Sequence, residues 1–195
     1  MKKRTNWRIG KLQRWLKKDS SIIFTPEEPK VSKEKKLTHV NETGAANMVD
    51  VGSKPNTERI AEAKAEVYMQ GETIALIRDN SFDKGDVIAT ARIAGIMAAK
   101  ETSKLIPLCH PVPISQVKVD IQLDEENNSV KIASTVKTSG KTGVEMEALI
   151  GASITALTIY DMCKAVDRSM NFRVWLATKS GGQSGKFVFE PPSSK

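Results

Sequence analysis

The sequence predicts an α+β fold in which helices pack against one antiparallel sheet. Apolar and polar residues alternate in 61–69 (AEAKAEVYM), 115–123 (SQVKVDIQL) and 129–137 (SVKIASTVK), a pattern typical of half-buried strands. A long run of small and apolar residues from near Gly143 to Val166 predicts a helix. With the remaining elements, the order is strand, helices, strand, strand, helix, strand. This order predicts a split βαβ unit, that is, a ferredoxin-like sandwich.

The first strand is predicted against its composition, because Ala, Glu and Lys favour a helix. Its strict alternation of apolar and polar residues decides for a strand, which Gly71 ends. The other predicted elements are a short helix at 72–80, an Ala-rich helix at 87–106 that Pro107 helps to end, a hairpin turn at 125–128 and a last strand at 172–178.

Composition limits the class of protein. The chain has 195 residues, of which 39% are hydrophobic and 27% charged, enough for one domain with a core. No apolar run is expected to approach the ~20 residues that are needed to span a bilayer, so no membrane role is predicted. The two cysteines, Cys109 and Cys163, do not make a disulfide framework, which favours a reducing compartment.

The net charge of +7 does not indicate a nucleic-acid binder. Residues 1–36 contain 12 of the 30 basic residues and only 4 of the 23 acidic ones, which leaves 18 basic and 19 acidic residues in the remainder. A nucleic-acid module would carry its positive charge on the folded body. No nucleic-acid partner is therefore predicted.

Three parts are predicted along the chain, the first of them from its charge. Residues 1–36 are predicted to be a basic extension and linker, 37–187 the domain, and 188–195 a C-terminal tail. The extension has the amphipathic, basic character of a mitochondrial presequence, which would place the protein in the mitochondrial matrix. A disordered basic tail on a cytoplasmic protein is the open alternative.

Charged groups stand at both ends of the long predicted helix. Glu145 and Glu147 lie near its start, where carboxylates also suit the helix dipole, and Asp161 and Lys164 lie near its end, at the spacing of an intrahelical ion pair. Glu147 and Asp161 would be roughly 21 Å apart along the axis. If all four groups serve one reaction, the two ends must come from different subunits, or loops must bridge to one end.

Other candidate residues lie in loops. His110 and Cys109 adjoin in IPLCHP, but no third or fourth ligand has metal-site spacing, so no metal is predicted. Lys84 in DKGD stands at a predicted helix start, a natural location for an anion. Lys54, Arg59 and Lys179 are further cations, and glycines beside Lys84 and Lys179 leave backbone amides available to phosphate.

Four segments resemble one family. MVDVGSKPNTER, KGDVIATARIAGIMAAKETSKLIPLCHP, KTGVEMEALIGASITALTIYDMCKAV and KSGGQSG are together similar to the cyclic pyranopterin monophosphate synthase family of molybdenum cofactor biosynthesis. The resemblance covers about Leu37 to Phe187. It implies a ferredoxin-like subunit in a homohexamer, a trimer of dimers with active sites at subunit interfaces. It also implies a lyase that converts 3′,8-cyclo-7,8-dihydroguanosine 5′-triphosphate to cyclic pyranopterin monophosphate and diphosphate.

The resemblance also assigns roles to residues. It implies Asp161, Lys164 and Lys84 for catalysis; Leu108, Cys109, His110, Glu145, Met146 and Glu147 for substrate contact; and Lys54, Arg59 and Lys179 for the triphosphate. It implies no cofactor, and whether Mg²⁺ travels with the triphosphate stays open.

Ring opening and ring closure need repeated proton transfers, which suits several poised acids and bases. Which lysine is the acid and which the base does not follow from the sequence. The alternative is a non-catalytic nucleotide-binding module with a basic tether, which explains the lysines and the Gly-rich loops. That alternative does not explain why carboxylates and a lysine stand on a helix of small residues.

Overall fold

The computed structural model describes residues 45–191, so the predicted extension 1–36 and the end of the predicted tail lie outside the described residues. The elements are β1 Thr57–Tyr68, α1 Gly71–Arg78, α2 Val87–Lys100, α3 Thr102–Leu105, β2 Ile114–Asp124, β3 Ser129–Gly140, α4 Glu145–Cys163, β4 Asn171–Ser180 and β5 Phe187–Val188.

The strands form one antiparallel sheet in the order β2-β3-β1-β4-β5. The strand β1 lies in the centre, where Ala65 faces Ile132 of β3 and Val174 of β4. The first four strands thus have the order of a split βαβ unit, with a short fifth strand added at the edge. The predicted α+β, ferredoxin-like class is confirmed.

The alternation in β1 is the alternation of its two faces. Ala61, Ala63, Ala65 and Val67 are each at most 1% exposed, while the residues between them are half-buried. The buried face is covered by α4, which packs on β1, β3 and β4 and also against α2. Small side chains on this face let the helix approach the sheet closely.

The closest contact between the helices depends on two glycines. A Cβ on Gly95 of α2 would lie 2.0 Å from the hydroxyl oxygen of Thr155 and 2.8 Å from the carbonyl oxygen of Gly151, both on α4. A Cβ on Gly151 would lie 2.5 Å from the hydroxyl oxygen of Ser134 on β3. Glycine at both positions therefore sets the distance between α2, α4 and the sheet.

The predicted helix 87–106 is divided in two. Glu101, with φ −101° and ψ 7°, ends α2 and precedes the single turn of α3. The buried Thr102 donates its hydroxyl hydrogen to the carbonyl of Ala99 at 3.0 Å. A side chain that competes for a helical carbonyl in this way favours interruption of the helix.

Most other boundaries differ from the prediction by a few residues, and one short strand is additional. The strand β1 begins at Thr57, because Thr57 to Ile60 pair with the end of β3. The helix α4 begins at Glu145 rather than near Gly143. The strand β5 was not predicted, and its two residues pair with Thr178 and Lys179 of β4.

By length and composition alone, α4 is able to cross a membrane. The prediction that no segment approaches that length is wrong by this criterion, since α4 has 19 residues. Its buried residues include Ala148, Ala152, Ala156 and Ile159, which contribute to the core of the domain. Core packing accounts for its apolar composition.

Candidate active site

Lys84, Asp161 and Lys164 form a cluster at the C-terminal end of α4. The ammonium of Lys164 lies 2.5 Å from one carboxylate oxygen of Asp161, and that of Lys84 lies 3.6 Å from the other. Lys84 also donates to the main-chain carbonyl of Asp161 at 3.0 Å. The structure therefore brings together the three residues for which the resemblance implies catalysis.

The cluster holds two cations around one carboxylate. The hydrogen bond from Lys164, the charge of Lys164 and the charge of Lys84 hold the pKa of Asp161 below its usual value. All three side chains are about half exposed in this chain. An ionised Asp161 is thus available to orient both ammonium groups.

The loop before α2 delivers Lys84 to this cluster. Asp86 caps α2 by accepting a hydrogen bond from the amide of Ala89 at 2.8 Å. Gly85 adopts φ +90°, which glycine reaches without steric cost. The amide of Gly85 donates to the carbonyl of Phe82, so the turn that carries Lys84 is closed by its own backbone.

A buried carboxylate supports the same end of α4. Asp167 is 1% exposed and accepts hydrogen bonds from the amides of Gln70 and Ser169, both at 2.8 Å, and from two side-chain hydroxyls. The hydrogen bond from the Ser169 hydroxyl contributes most to lowering its pKa. Asp167 thereby ties the segment after Lys164 to the start of α1. Sequence analysis missed this residue, since nothing in its local pattern points to Gln70.

Glu147 lies at the other end of α4 and is 4% exposed. Burial raises its pKa, and the charge of Glu145 raises it further. The pKa of the Cys109 thiol is raised as well, first by burial and then by the charge of Glu147. The loop that carries Cys109 therefore lies within electrostatic reach of the first turn of α4. A buried carboxyl with a raised pKa is suited to donate a proton or a hydrogen bond.

The other residues predicted to contact the substrate are half-buried. Leu108, Cys109 and His110 are half-buried in the loop after α3, and Met146 is half-buried beside Glu147 in the first turn of α4. Among the described residues, no group of three His, Cys, Asp or Glu side chains is arranged to hold a metal ion.

Lys179 of β4 connects the Gly-rich loop to the start of α4. Its ammonium lies 3.0 Å from the carboxylate of Glu145 and donates to the hydroxyl of Ser184 at 2.7 Å. The loop that follows Lys179 contains Gly181 at φ +91° and Gly182 at φ +72°. The structure thus brings together Lys179 and Glu145, two residues for which the resemblance implies contact with the substrate.

Arg59 holds two loops together. Its guanidinium donates to the carbonyls of Gly140 and Lys141, both at 3.0 Å, and so fixes the turn between β3 and α4. A Cβ on Gly182 would lie 2.0 Å from another guanidinium nitrogen of Arg59, so the Gly-rich loop packs directly on this side chain. Arg59 therefore positions backbone segments, in addition to the triphosphate contact that the resemblance implies.

Lys54 lies in the turn before β1, and Lys141 reaches the same turn. The amide of Lys54 donates to the carbonyl of Val51, and the ammonium of Lys141 donates to the carbonyl of Gly52 at 2.5 Å. Sequence analysis did not single out Lys141. Its position in KTGVEMEAL was the available signal, because it stands four residues before Glu145, where the helix that carries Glu145 and Glu147 begins.

The candidate residues thus form two groups in one chain. Lys84, Asp161 and Lys164 lie at the C-terminal end of α4. Glu145, Met146 and Glu147 lie in its first turn, where Lys179 of β4 contacts Glu145 and Arg59 of β1 holds the preceding turn. The 19-residue helix keeps the groups more than about 20 Å apart. A single described chain therefore does not unite them.

Comparison with known proteins identifies relatives of this chain. The model of the MoaC family matches residues 48–182. A cyclic pyranopterin monophosphate synthase of Brucella melitensis biotype 2 is 56% identical over 160 residues, which cover 82% of this chain and 97% of the relative. The enzymes of that name from Brucella ovis and Brucella suis biovar 1 are each 55% identical; they cover 81% and 82% of this chain, and 96% and 97% of their own lengths. With a family match over more than half of its length and relatives of this similarity, the chain belongs to the MoaC family.

Proposed function

We propose that the chain is a cyclic pyranopterin monophosphate synthase, a lyase of molybdenum cofactor biosynthesis. The proposed substrate is 3′,8-cyclo-7,8-dihydroguanosine 5′-triphosphate, and the products are cyclic pyranopterin monophosphate and diphosphate. The names and the high coverage of the relatives support this function. The observation that carries it is the Lys84, Asp161 and Lys164 cluster, in which two ammonium groups share one ionised carboxylate.

The C-terminal cluster is suited to proton transfer. The conversion opens a purine-derived ring and builds a new one, so protons must be moved repeatedly between nitrogen, carbon and oxygen atoms. Lys84 and Lys164 each present an ammonium beside Asp161, and Asp161 holds both in place. Each positioned transfer contributes about 10²–10⁴-fold to the rate. We assign the acid and base roles to the two lysines as a pair.

The N-terminal group is suited to bind the substrate. Closure of the cyclic phosphate forms a bond between a ribose hydroxyl oxygen and the α-phosphorus, and breaks the bond from that phosphorus to the departing diphosphate. The hydroxyl proton goes to a base. Lys54, Arg59 and Lys179 supply positive charge for the triphosphate and the leaving group. Glu145, Glu147 and His110 are suited to bind the purine-derived ring of the substrate, along the edge that carries its hydrogen-bond donors.

An active site that joins two subunits follows from this division of roles. Since one chain keeps the two groups at opposite ends of α4, we propose that a second copy supplies the missing end, in a homohexamer built as a trimer of dimers. Exposed apolar side chains on the helices support such packing: Ile93 and Met97, four residues apart on α2, are 59% and 61% exposed, and Leu157 on α4 is 49% exposed.

We assign no step of the reaction to a cofactor. Mg²⁺, if required, would arrive with the triphosphate oxygens, for which it has a strong preference. The relatives are bacterial, which favours a cytoplasmic enzyme over one in the mitochondrial matrix.

One assay tests the proposed function. The full chain is incubated with the cyclised GTP intermediate, and diphosphate is measured together with the fluorescent pterin obtained by oxidising the product. The wild type should release both in equal amounts, and Asp161→Asn should bind the intermediate but release little of either. A non-catalytic nucleotide-binding module would bind the intermediate and leave it intact in both proteins.

A further inference from the structure

We propose that Lys141 is a further phosphate-binding residue of this site and that its charge contacts the diphosphate portion of the substrate. The inference rests on the proposed function, because it assigns a part of that substrate to a residue outside the implied set. It is carried by the placement of Lys141 between the turn that contains Lys54 and the guanidinium of Arg59.

Lys141 is held in place from two sides. Its carbonyl accepts a hydrogen bond from Arg59 at 3.0 Å, and its ammonium donates to the carbonyl of Gly52 at 2.5 Å. Gly52 is in turn fixed by its amide, which donates to the side chain of Asp50 at 2.7 Å. A lysine that is already ordered loses less side-chain entropy when it binds a ligand.

Charge balance distinguishes Lys141 from most other lysines of the site. Lys84 and Lys164 share the carboxylate of Asp161, and Lys179 pairs with Glu145. Among the described residues, Lys141 has no carboxylate within salt-bridge distance, and its hydrogen-bond acceptor is a neutral carbonyl. No salt bridge therefore engages its ammonium, which favours the binding of an anion with several negative charges.

The neighbours of Lys141 strengthen the same field. Arg59 donates hydrogen bonds to two carbonyls. Among the described residues, no carboxylate forms a salt bridge with Arg59 or with Lys54. Arg59 thus adds a positive charge beside Lys141, and Lys54 lies in the turn that Lys141 contacts, where the amide of Gly52 also binds the carboxylate of Asp50. An ammonium has three donor hydrogens, so Lys141 keeps two for phosphate oxygens after its bond to Gly52.

The test separates the charge of Lys141 from its bond to Gly52. Lys141→Gln keeps a donor for the Gly52 carbonyl and removes the charge, while Lys141→Arg keeps both. Lys118→Gln is the matched control, since Lys118 lies on β2, where it pairs with Asp120. Binding of inorganic pyrophosphate to each full-length protein is measured by calorimetry, and its inhibition constant is measured in the turnover assay.

We expect Lys141→Gln to weaken pyrophosphate binding about tenfold, a loss of about 1.4 kcal/mol, and to raise KM more than it lowers kcat. The pyrophosphate affinities of Lys141→Arg and Lys118→Gln should stay close to that of the wild type. The affinity should depend less on salt concentration only in Lys141→Gln.

Two results would overturn the inference: pyrophosphate binding by Lys141→Gln equal to that of the wild type, or equal losses in Lys141→Gln and Lys141→Arg. Either would leave Lys141 with a purely structural role at Gly52. Turnover of the wild type in the same assay tests the proposed function separately, so an active wild type with an unchanged Lys141→Gln refutes this inference alone.

Discussion

Lys84 donates a hydrogen bond to the main-chain carbonyl of Asp161 at 3.0 Å, and its ammonium lies 3.6 Å from the carboxylate of the same residue. The carbonyls of the last turn of a helix have no partner within the helix, and that end of the helix dipole attracts cations. Lys84 therefore satisfies one carbonyl at the end of α4 and faces the carboxylate of Asp161 with the same ammonium group. The helix end itself thus fixes the distance between these two charged groups.

Asp161→Asn should abolish most of the turnover and leave the fold intact. The amide keeps the shape of the side chain but removes the charge that orients Lys84 and Lys164, so we expect kcat to fall at least about 10²-fold. The melting temperature should stay close to that of the wild type, because exposed ion pairs add little stability. Comparison of kcat with the thermal unfolding curve checks both statements; a large drop in melting temperature would instead indicate a structural role.

Two inactive variants should restore each other if the active site joins two chains. Lys84→Met removes a cation at the C-terminal end of α4, and Glu147→Gln removes the buried acid at the N-terminal end. When equal amounts are dissociated and reassembled together, about a quarter of the shared sites should combine two intact ends. Turnover of the mixture measures this.

The control mixture combines Lys84→Met with Asp161→Asn, which damage the same end and should stay inactive. Activity of the first mixture no higher than that of its separate components would place the whole site within one chain.

Glu147→Gln should stabilise the protein at neutral pH. Burial raises the pKa of Glu147 above the ordinary value of 4.5, so the native state binds a proton that the unfolded state has released. Ionisation of the buried carboxyl therefore costs stability as the pH rises through 4.5 and beyond, and the variant avoids this cost. Unfolding by urea at several pH values should show a gain for the variant at pH 7 that disappears below about pH 4.5.

Glu145→Gln is the matched control for this stabilisation. Glu145 is half-exposed and pairs with Lys179, so its amide variant should show no such gain. An equal gain in both variants would point to general relief of negative charge rather than burial of Glu147.

Asp167→Ala should destabilise the domain by about 2–4 kcal/mol, because the amides of Gln70 and Ser169 lose their acceptor inside the protein. Asp167→Asn should destabilise the domain less than Asp167→Ala, since the one carbonyl oxygen of the asparagine side chain still accepts hydrogen bonds. The native hydrogen bonds lower the pKa of Asp167 below 3.8, so its contribution is present above about pH 4 and is lost as the pH falls through the native pKa.

Denaturant unfolding at pH 7 and in mild acid checks the Asp167 prediction. The difference in the free energy of unfolding between the wild type and Asp167→Asn should become smaller in acid. A constant difference at all pH values would mean that the ionised state of Asp167 does not support the fold.

Gly95→Ala should destabilise the packing of α2 on α4 by about 1–3 kcal/mol, although alanine favours helices. The added Cβ would lie 2.8 Å from the backbone carbonyl of Gly151, which a change of side-chain rotamer does not relieve. The control Thr90→Ala lies on an exposed position of α2 and should be neutral or slightly stabilising. Thermal unfolding of both variants checks the prediction, which a neutral Gly95→Ala would contradict.

The sequence by itself determined the elements whose pattern is local. In β1, β2 and β3, the alternation of apolar and polar residues shows which face meets the core. In α4, the small residues show the same. These patterns are the same in any fold that buries that face. The sequence also separated the charged groups into the two ends of α4, because a helix has a fixed rise per residue. The family membership rests on long segments such as KTGVEMEAL, which are read without coordinates.

Only the tertiary structure decided the contacts between distant segments. Lys141 meets Gly52 from 89 residues away, Asp167 meets Gln70 from 97, and Lys84 meets Asp161 from 77. No local pattern or motif in one segment specifies which distant turn that segment will contact in the folded chain. Such contacts form only when the strand order β2-β3-β1-β4 brings the loops together at the two ends of α4, and that order arises from burying one continuous apolar face beneath α4.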